Sequence, residues 1–255
     1  IYPNKELLKY IRNIGNKVAA NSGLSNTKWT FTVLDSPIVN AFALPGGYVY
    51  ITRGLLALAN DEAEIASVIG HEIAHVTARH SAQRHAKSTL SGIGLDLLSI
   101  VVGQPIVTQL ASIGVQGVLS AFSRSEELEA DKLGIKYIIN AKYDPKGSYR
   151  FLKRLNELAK ISSKSEQNAI NSIFSTHPKT IDRIEISREN TPNNISYMKY
   201  KKNYLAAINN MIYGDNASKG IIKNNQFFHL ELDFSFIIPK KYKVFKNDNS
   251  IILFT

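Results

Sequence analysis

Between residues 4 and 22 the apolar positions fall at Leu7, Leu8, Ile11, Ile14 and Val18, spacings of three and four that predict an amphipathic helix. Pro3 precedes this run and Asn21-Ser22-Gly23 follows it. Trp29 to Leu34 alternates in the manner of a half-buried strand. Phe42-Ala43-Leu44 and Tyr48 to Thr52 flank Pro45-Gly46-Gly47, which predicts a hairpin, and the three segments together read as a small antiparallel sheet. Asp61 with Glu64 three positions on resembles a capping box. The apolar spacing through Ile65, Val68, Ile69, Ile73 and Val76 then predicts a helix from about residue 61 to 86.

Residues 97–121 carry no charged side chain and are long enough to span a bilayer. Pro105, three glycines and several Gln and Ser favour two buried or lid-forming helices instead. A further helix starts near Ser123 and stops at Tyr143-Asp144-Pro145, and Tyr149 to Ile161 forms another. From about residue 226 the pattern turns to strands, with Phe228 to Ile238 alternating and Ile251 to Phe254 closing the chain. The predicted class is α+β: a mostly helical domain with a small sheet over residues 1–200, then a linker and the start of a small β module over 201–255. Because the chain begins at Ile1 and ends inside an apolar run, a preceding signal segment and a longer module are expected.

The chemistry concentrates in His71-Glu72-Ile73-Ala74-His75. Histidines at i and i+4 on a helix are offset by about 40° and one turn of rise, so both imidazoles aim at one point where a metal ion can accept both. A chance HExxH is expected in roughly one of 150 chains of this composition. A hydrolytic zinc site takes three protein ligands and keeps one position open for water. The chain has no cysteine, so the third ligand must be His or a carboxylate. On a continuous helix His80 lies about 180° around from His71 and His85 about 15 Å beyond His75, so both read as surface histidines. The acidic run Glu126-Glu127-Leu128-Glu129-Ala130-Asp131 remains. There Glu127 and Asp131 share a helical face: Glu127 is the expected ligand, and Asp131 accepts the outer N–H of a ligating histidine. Glu126 and Glu129 stay open as ligands if the helical register shifts.

Composition changes this picture little. A formal charge of +10 would suit nucleic acid or anionic lipid if it were concentrated, but the lysines are scattered beyond Lys199 to Lys202 and Lys240, Lys241 and Lys243. No nucleic-acid motif accompanies them, so nucleic acid is not an expected partner, while association with a membrane surface stays open.

Several segments carry a family resemblance: Asn40 to Gly47, Gly54-Leu55-Leu56, HEIAHVTARH from His71, Ser123-Arg124 with Glu127 and Glu129-Ala130-Asp131, Tyr143-Asp144-Pro145, and Thr176-His177-Pro178 with Arg183. Over about residues 40–185 the chain resembles the zinc metallopeptidases that include the CAAX prenyl proteases, the HtpX heat-shock membrane protease, the mitochondrial OMA protease and the periplasmic β-barrel-assembly-enhancing protease. The resemblance implies a gluzincin: one zinc ion held by His71, His75 and Glu127, with Glu72 as general base. It also draws in His177, as a fourth ligand in a latent form or a group near the transition-state oxyanion, and Arg183. It implies endopeptidase action on unfolded or misfolded proteins in the periplasm or cell envelope of a bacterium. The alternative it leaves is a latent or non-catalytic zinc module that holds such proteins. On the enzymatic reading Glu72 takes a proton from water and returns it to the leaving amine, and the Tyr48 to Thr52 strand pairs with an extended substrate.

Overall fold

The computed structural model describes residues 1–24, 26–81, 121–161, 172–178, 181–192, 197–214, 216, 220–229, 231–246 and 251–254. The first helix, α1 (Lys5–Ala19), is capped by Asn4, whose side chain accepts from the Leu7 amide at 2.9 Å. Its buried stripe is Leu7, Ile11, Ile14 and Val18. Strands β1 (Thr30–Leu34), β2 (Ala41–Leu44) and β3 (Tyr48–Thr52) form one sheet in the order β1-β3-β2. Gly46 and Gly47, at φ of 92° and 89°, make the left-handed turn that returns β3 antiparallel to β2.

The other edge of β3 pairs in parallel with β1, so the sheet is mixed and not wholly antiparallel. Insertion of β3 between two strands earlier in the chain is a long-range choice that alternation cannot reveal. It also fills both edges of β3, which therefore cannot serve as the substrate-pairing strand. Among the described residues β2 is paired on one side only.

After α2 (Arg53–Leu58) the chain enters the central helix α3 (Glu62–Thr77), capped by Asp61 on the Glu64 amide at 3.0 Å. Helix α3 stops well short of residue 86, because Arg79 takes a left-handed backbone, φ 58°. Helix α4 (Arg124–Asn140) begins with a reciprocal capping box between Ser123 and Glu126 and packs along α3. Gly70 and Gly134 let the two backbones touch: a Cβ on Gly134 would lie 2.9 Å from the His71 nitrogen. Ile65, Ile69, Ile73, Ala130 and Ile138 fill this contact and join the core above the sheet, with Phe31, Val49 and Ile51.

Helices α5 (Lys146–Ile161) and α6 (Ile181–Glu189) complete the domain. Charge ties α5 to the start of α3. Arg150 bonds Asp61 at 2.9 Å and Asp144 at 2.6 Å, and Arg154 bonds the fully buried Glu64. Helix α7 (Lys201–Ala207), in the segment expected to be linker, instead buries Tyr204 in the core, where its hydroxyl donates to the Leu56 carbonyl. The later strand run divides into β4 (Ile221–Lys223), β5 (Gln226–His229) and β6 (Phe234–Ile237), an antiparallel sheet around the buried Phe227, followed by the β7 (Lys243–Lys246) and β8 (Ile251–Phe254) pair. Asp233, φ 48°, turns the chain between β5 and β6, where continuous alternation had predicted one strand. No helix among the described residues is long and apolar enough to cross a membrane. The apolar 97–121 stretch lies outside the described residues except for Ala121, and His85 lies outside them too.

Candidate metal centre

Helix α3 presents His71, Glu72 and His75 inward at 8%, 3% and 2% exposure, burial that ordinary surface histidines do not show. Their partners come from α4, which brings Glu127 and Asp131 to the same place from one face. Helical residues 172–176 end in His177, whose amide bonds the Ile173 carbonyl at 2.8 Å, and Arg183 reaches in from α6. All seven residues expected at the site are buried together.

Four of them offer donor atoms within 4.8 Å of one another: His71, His75, Glu127 and His177. The Nε2 atoms of His71 and His75 are 3.0 Å apart, and His177 Nδ1 lies 3.3 Å from His71 Nε2 and 2.9 Å from Glu127 Oε1. Glu127 Oε1 lies 3.3 Å from His75 Nε2. Four ligands on a tetrahedral zinc would be separated by about 3.3 Å, so the donor set fits that ion.

Charge points the same way. Glu72, Glu127 and Asp131 face one guanidinium among the described residues, Arg183, which bonds Asp131 at 2.7 Å and also contacts Glu127. With Glu127 and Asp131 both ionised, the guanidinium alone leaves negative charge at the donor atoms, which a protonated His177 or a metal cation would balance.

Burial pushes the Glu127 carboxyl up, but the neighbouring His177, Arg183 and His71 outweigh it and hold the group well below the usual range. For Asp131, burial is likewise overcome, chiefly by Arg183. Burial drives the His75 imidazole well below its ordinary value, so the ring is neutral, the form that ligates metal. Glu72 differs: burial raises it, and the charges of His177 and His71 only partly offset that. His177 is raised, because Glu127 and Glu72 overcome its burial.

Behind the donors, Asp131 Oδ1 lies 2.8 Å from His71 Nδ1, leaving Nε2 of that ring free to face the cluster. Glu126 is occupied as the α4 cap, and Glu129 points away from Glu127. Two neighbours escaped sequence reasoning. His80, expected on the surface, is 1% exposed with its Nδ1 2.9 Å from His75 Nδ1, because the left-handed Arg79 folds it back. Phe122 stacks on the His75 ring at 3.6 Å between centroids, and its position just before the Ser123 cap was the only available signal.

A buried HExxH helix packed against a second helix that supplies a glutamate defines a metallopeptidase. The chain belongs to peptidase family M48, whose sequence profile matches residues 6–190. It is 34% identical over 193 residues to a putative beta-barrel assembly-enhancing protease of Vibrio cholerae, covering 72% of this chain and 39% of that protein. It is 30% identical over 184 residues to the mitochondrial metalloendopeptidase OMA1 of Schizosaccharomyces pombe, covering 72% of this chain and 52% of that protein. The beta-barrel assembly-enhancing protease of Escherichia coli K12 is 32% identical over 192 residues, which cover 38% of it. The chain therefore spans about half or less of the length of these relatives.

Proposed function

We propose that this chain is a zinc-dependent endopeptidase in which His71, His75 and Glu127 hold the metal and Glu72 is the general base. The observation that carries the reading is the convergence of two buried imidazoles and a buried carboxylate at tetrahedral spacing. Zinc, when bound, supplies a Lewis acid for the scissile carbonyl and acidifies its water. Glu72, raised by burial, accepts a proton from water and delivers it to the leaving amine. Asp131 fixes the His71 tautomer, and Arg183 holds Asp131 and Glu127 in place.

An extended substrate would pair with β2, an edge strand of its sheet and the one that packs against α3. Beside Glu72 and His177 lies a pocket open to solvent on one side, with Val68, Phe151, Leu155, Ile173 and Phe174 in its wall. That wall suits an apolar substrate side chain next to the scissile bond.

His177 occupies the place of a fourth ligand, the closed coordination of structural zinc. We read it as a latch that must withdraw before water and substrate enter, which also favours the second reading of a zinc module that holds unfolded protein without cleaving it. His177→Ala then raises cleavage, whereas a fall in rate with zinc retained assigns His177 to the transition state.

The family supports misfolded proteins of a bacterial periplasm or envelope as substrates, with the metallopeptidase unit extending past residue 200 to include α7 and the β module beyond it. Contact with a membrane surface would rest on the +10 charge, and co-sedimentation with anionic vesicles tests it. Glu72→Gln decides the mechanism: it should keep its zinc and lose casein cleavage, and a variant that cleaves like wild type rejects Glu72 as base.

A further inference from the structure

The two histidines of α3 are backed differently. Asp131 stands directly behind His71, with a carboxylate oxygen 2.8 Å from Nδ1. Behind His75 the contact is a second imidazole: His80 Nδ1 lies 2.9 Å from His75 Nδ1, and His80 Nε2 lies 3.3 Å from Glu129 Oε2. We infer that His80, oriented by Glu129, is a positioning residue that sets the His75 tautomer and thereby its capacity to hold the metal. The inference rests on the zinc reading above.

The direction of each hydrogen bond follows from the cluster. His75 Nε2 lies 3.0 Å from His71 Nε2 and 3.3 Å from Glu127 Oε1, so a ligating His75 must present a lone pair there and carry its proton on Nδ1. That N–H needs an acceptor, and His80 Nδ1 is in place to be one. A neutral imidazole that accepts at Nδ1 is protonated at Nε2, and this is the nitrogen that faces Glu129. Each ring nitrogen in the chain Glu129, His80, His75 then has one role. Were His80 protonated at Nδ1, His75 would have to accept, and its own proton would point into the metal cluster.

The fold invests in this placement. Helix α3 ends at Thr77, Arg79 takes φ 58°, and His80 turns back to 1% exposure beneath His75. A non-glycine residue in the left-handed region costs about 1–2 kcal/mol, so the turn needs compensation from what it delivers. Glu129, its side chain 59% exposed, sits where water can take over its bond, so His80 carries the larger share of the effect.

The test uses the full chain. Zinc affinity is measured by competition with a chelator for wild type, His80→Leu and His80→Asn, and long-range proton–nitrogen NMR of the zinc-loaded wild type reads the imidazole tautomers. Leucine removes the acceptor, and zinc binding should weaken about 10- to 100-fold. Asparagine places Oδ1 where Nδ1 was and should recover most of that loss, which filling the space alone would not do. The spectra should show His80 protonated at Nε2 and bare at Nδ1.

Zinc binding unchanged in a folded His80→Leu, or a proton on His80 Nδ1, overturns the inference. If His80→Leu does not fold, His80→Asn decides jointly with the wild-type spectrum: an asparagine variant as weak as an acceptor-free site overturns the inference as well. A wild type that binds no zinc overturns instead the proposed metal site, a result distinguishable from the others because it appears before any substitution.

Discussion

Gly134→Ala tests how the two ligand-bearing helices are held. The new Cβ would stand 2.9 Å from the His71 nitrogen, 3.0 Å from the Gly70 carbonyl carbon and 3.2 Å from His71 Cα. All three are backbone atoms of α3, fixed by its own hydrogen bonds, so none can turn aside as the tip of a side chain would. Ordinary contact begins at 3.4 Å, so α4 must withdraw by about half an ångström. Overpacking of this kind costs about 1–3 kcal/mol, and replacing a mid-helix glycine returns about 0.5–1 kcal/mol. The net loss is then up to about 2.5 kcal/mol, or a melting temperature lower by as much as about 10 °C in a domain of this size. Glu127 and Asp131 withdraw with α4 while His71 and His75 stay, so zinc affinity should fall with stability. Thermal melts of the metal-free protein and a chelator competition measure the two effects. A variant that melts with wild type and binds zinc equally well would refute the close-packed account of this interface.

Other consequences follow from buried charge. Arg183→Met leaves Asp131 and Glu127 without their guanidinium and should cost about 3 kcal/mol in urea denaturation of the metal-free protein. Added zinc should return part of that loss, and an equal loss with and without zinc would separate Arg183 from the metal centre. At high pH, Tyr143 matters: burial, then its hydrogen bond to Glu62, raises its pKa above the ordinary 10.0. The folded state prefers the neutral phenol, so this stabilisation is complete below pH 10 and declines above it, by up to about 1.4 kcal/mol per pH unit. Tyr143→Phe should flatten the fall in stability above pH 10, and an unchanged slope would reject the assignment.

Helical periodicity made much of the site legible. It put His71 and His75 on one face, with Nε2 atoms 3.0 Å apart, and separated Glu127 and Asp131 from Glu129, which faces His80 instead. Local signals likewise marked the Asp61 and Ser123 caps and the Pro45-Gly46-Gly47 hairpin. What periodicity could not carry was any departure from a regular element. The left-handed Arg79 ends α3 early and turns His80 from an outward position into a buried one. The insertion of β3 between β1 and β2 depends on contacts far apart in sequence. His177 sits in a loop before Pro178, with no periodicity to aim it, and only the family resemblance pointed to it. Tyr204 looked like part of a lysine-rich linker because one buried residue in a polar segment makes no pattern.

The central claim is that His71, His75 and Glu127 hold a zinc ion on which proteolysis depends. Elemental analysis of wild type and Glu127→Ala, run beside cleavage of casein with and without chelator, tests it most directly. The account predicts about one zinc per wild-type chain, loss of that zinc in Glu127→Ala, and cleavage that the chelator abolishes. Wild-type protein without zinc, or a Glu127→Ala variant that keeps both its zinc and its activity, would contradict it.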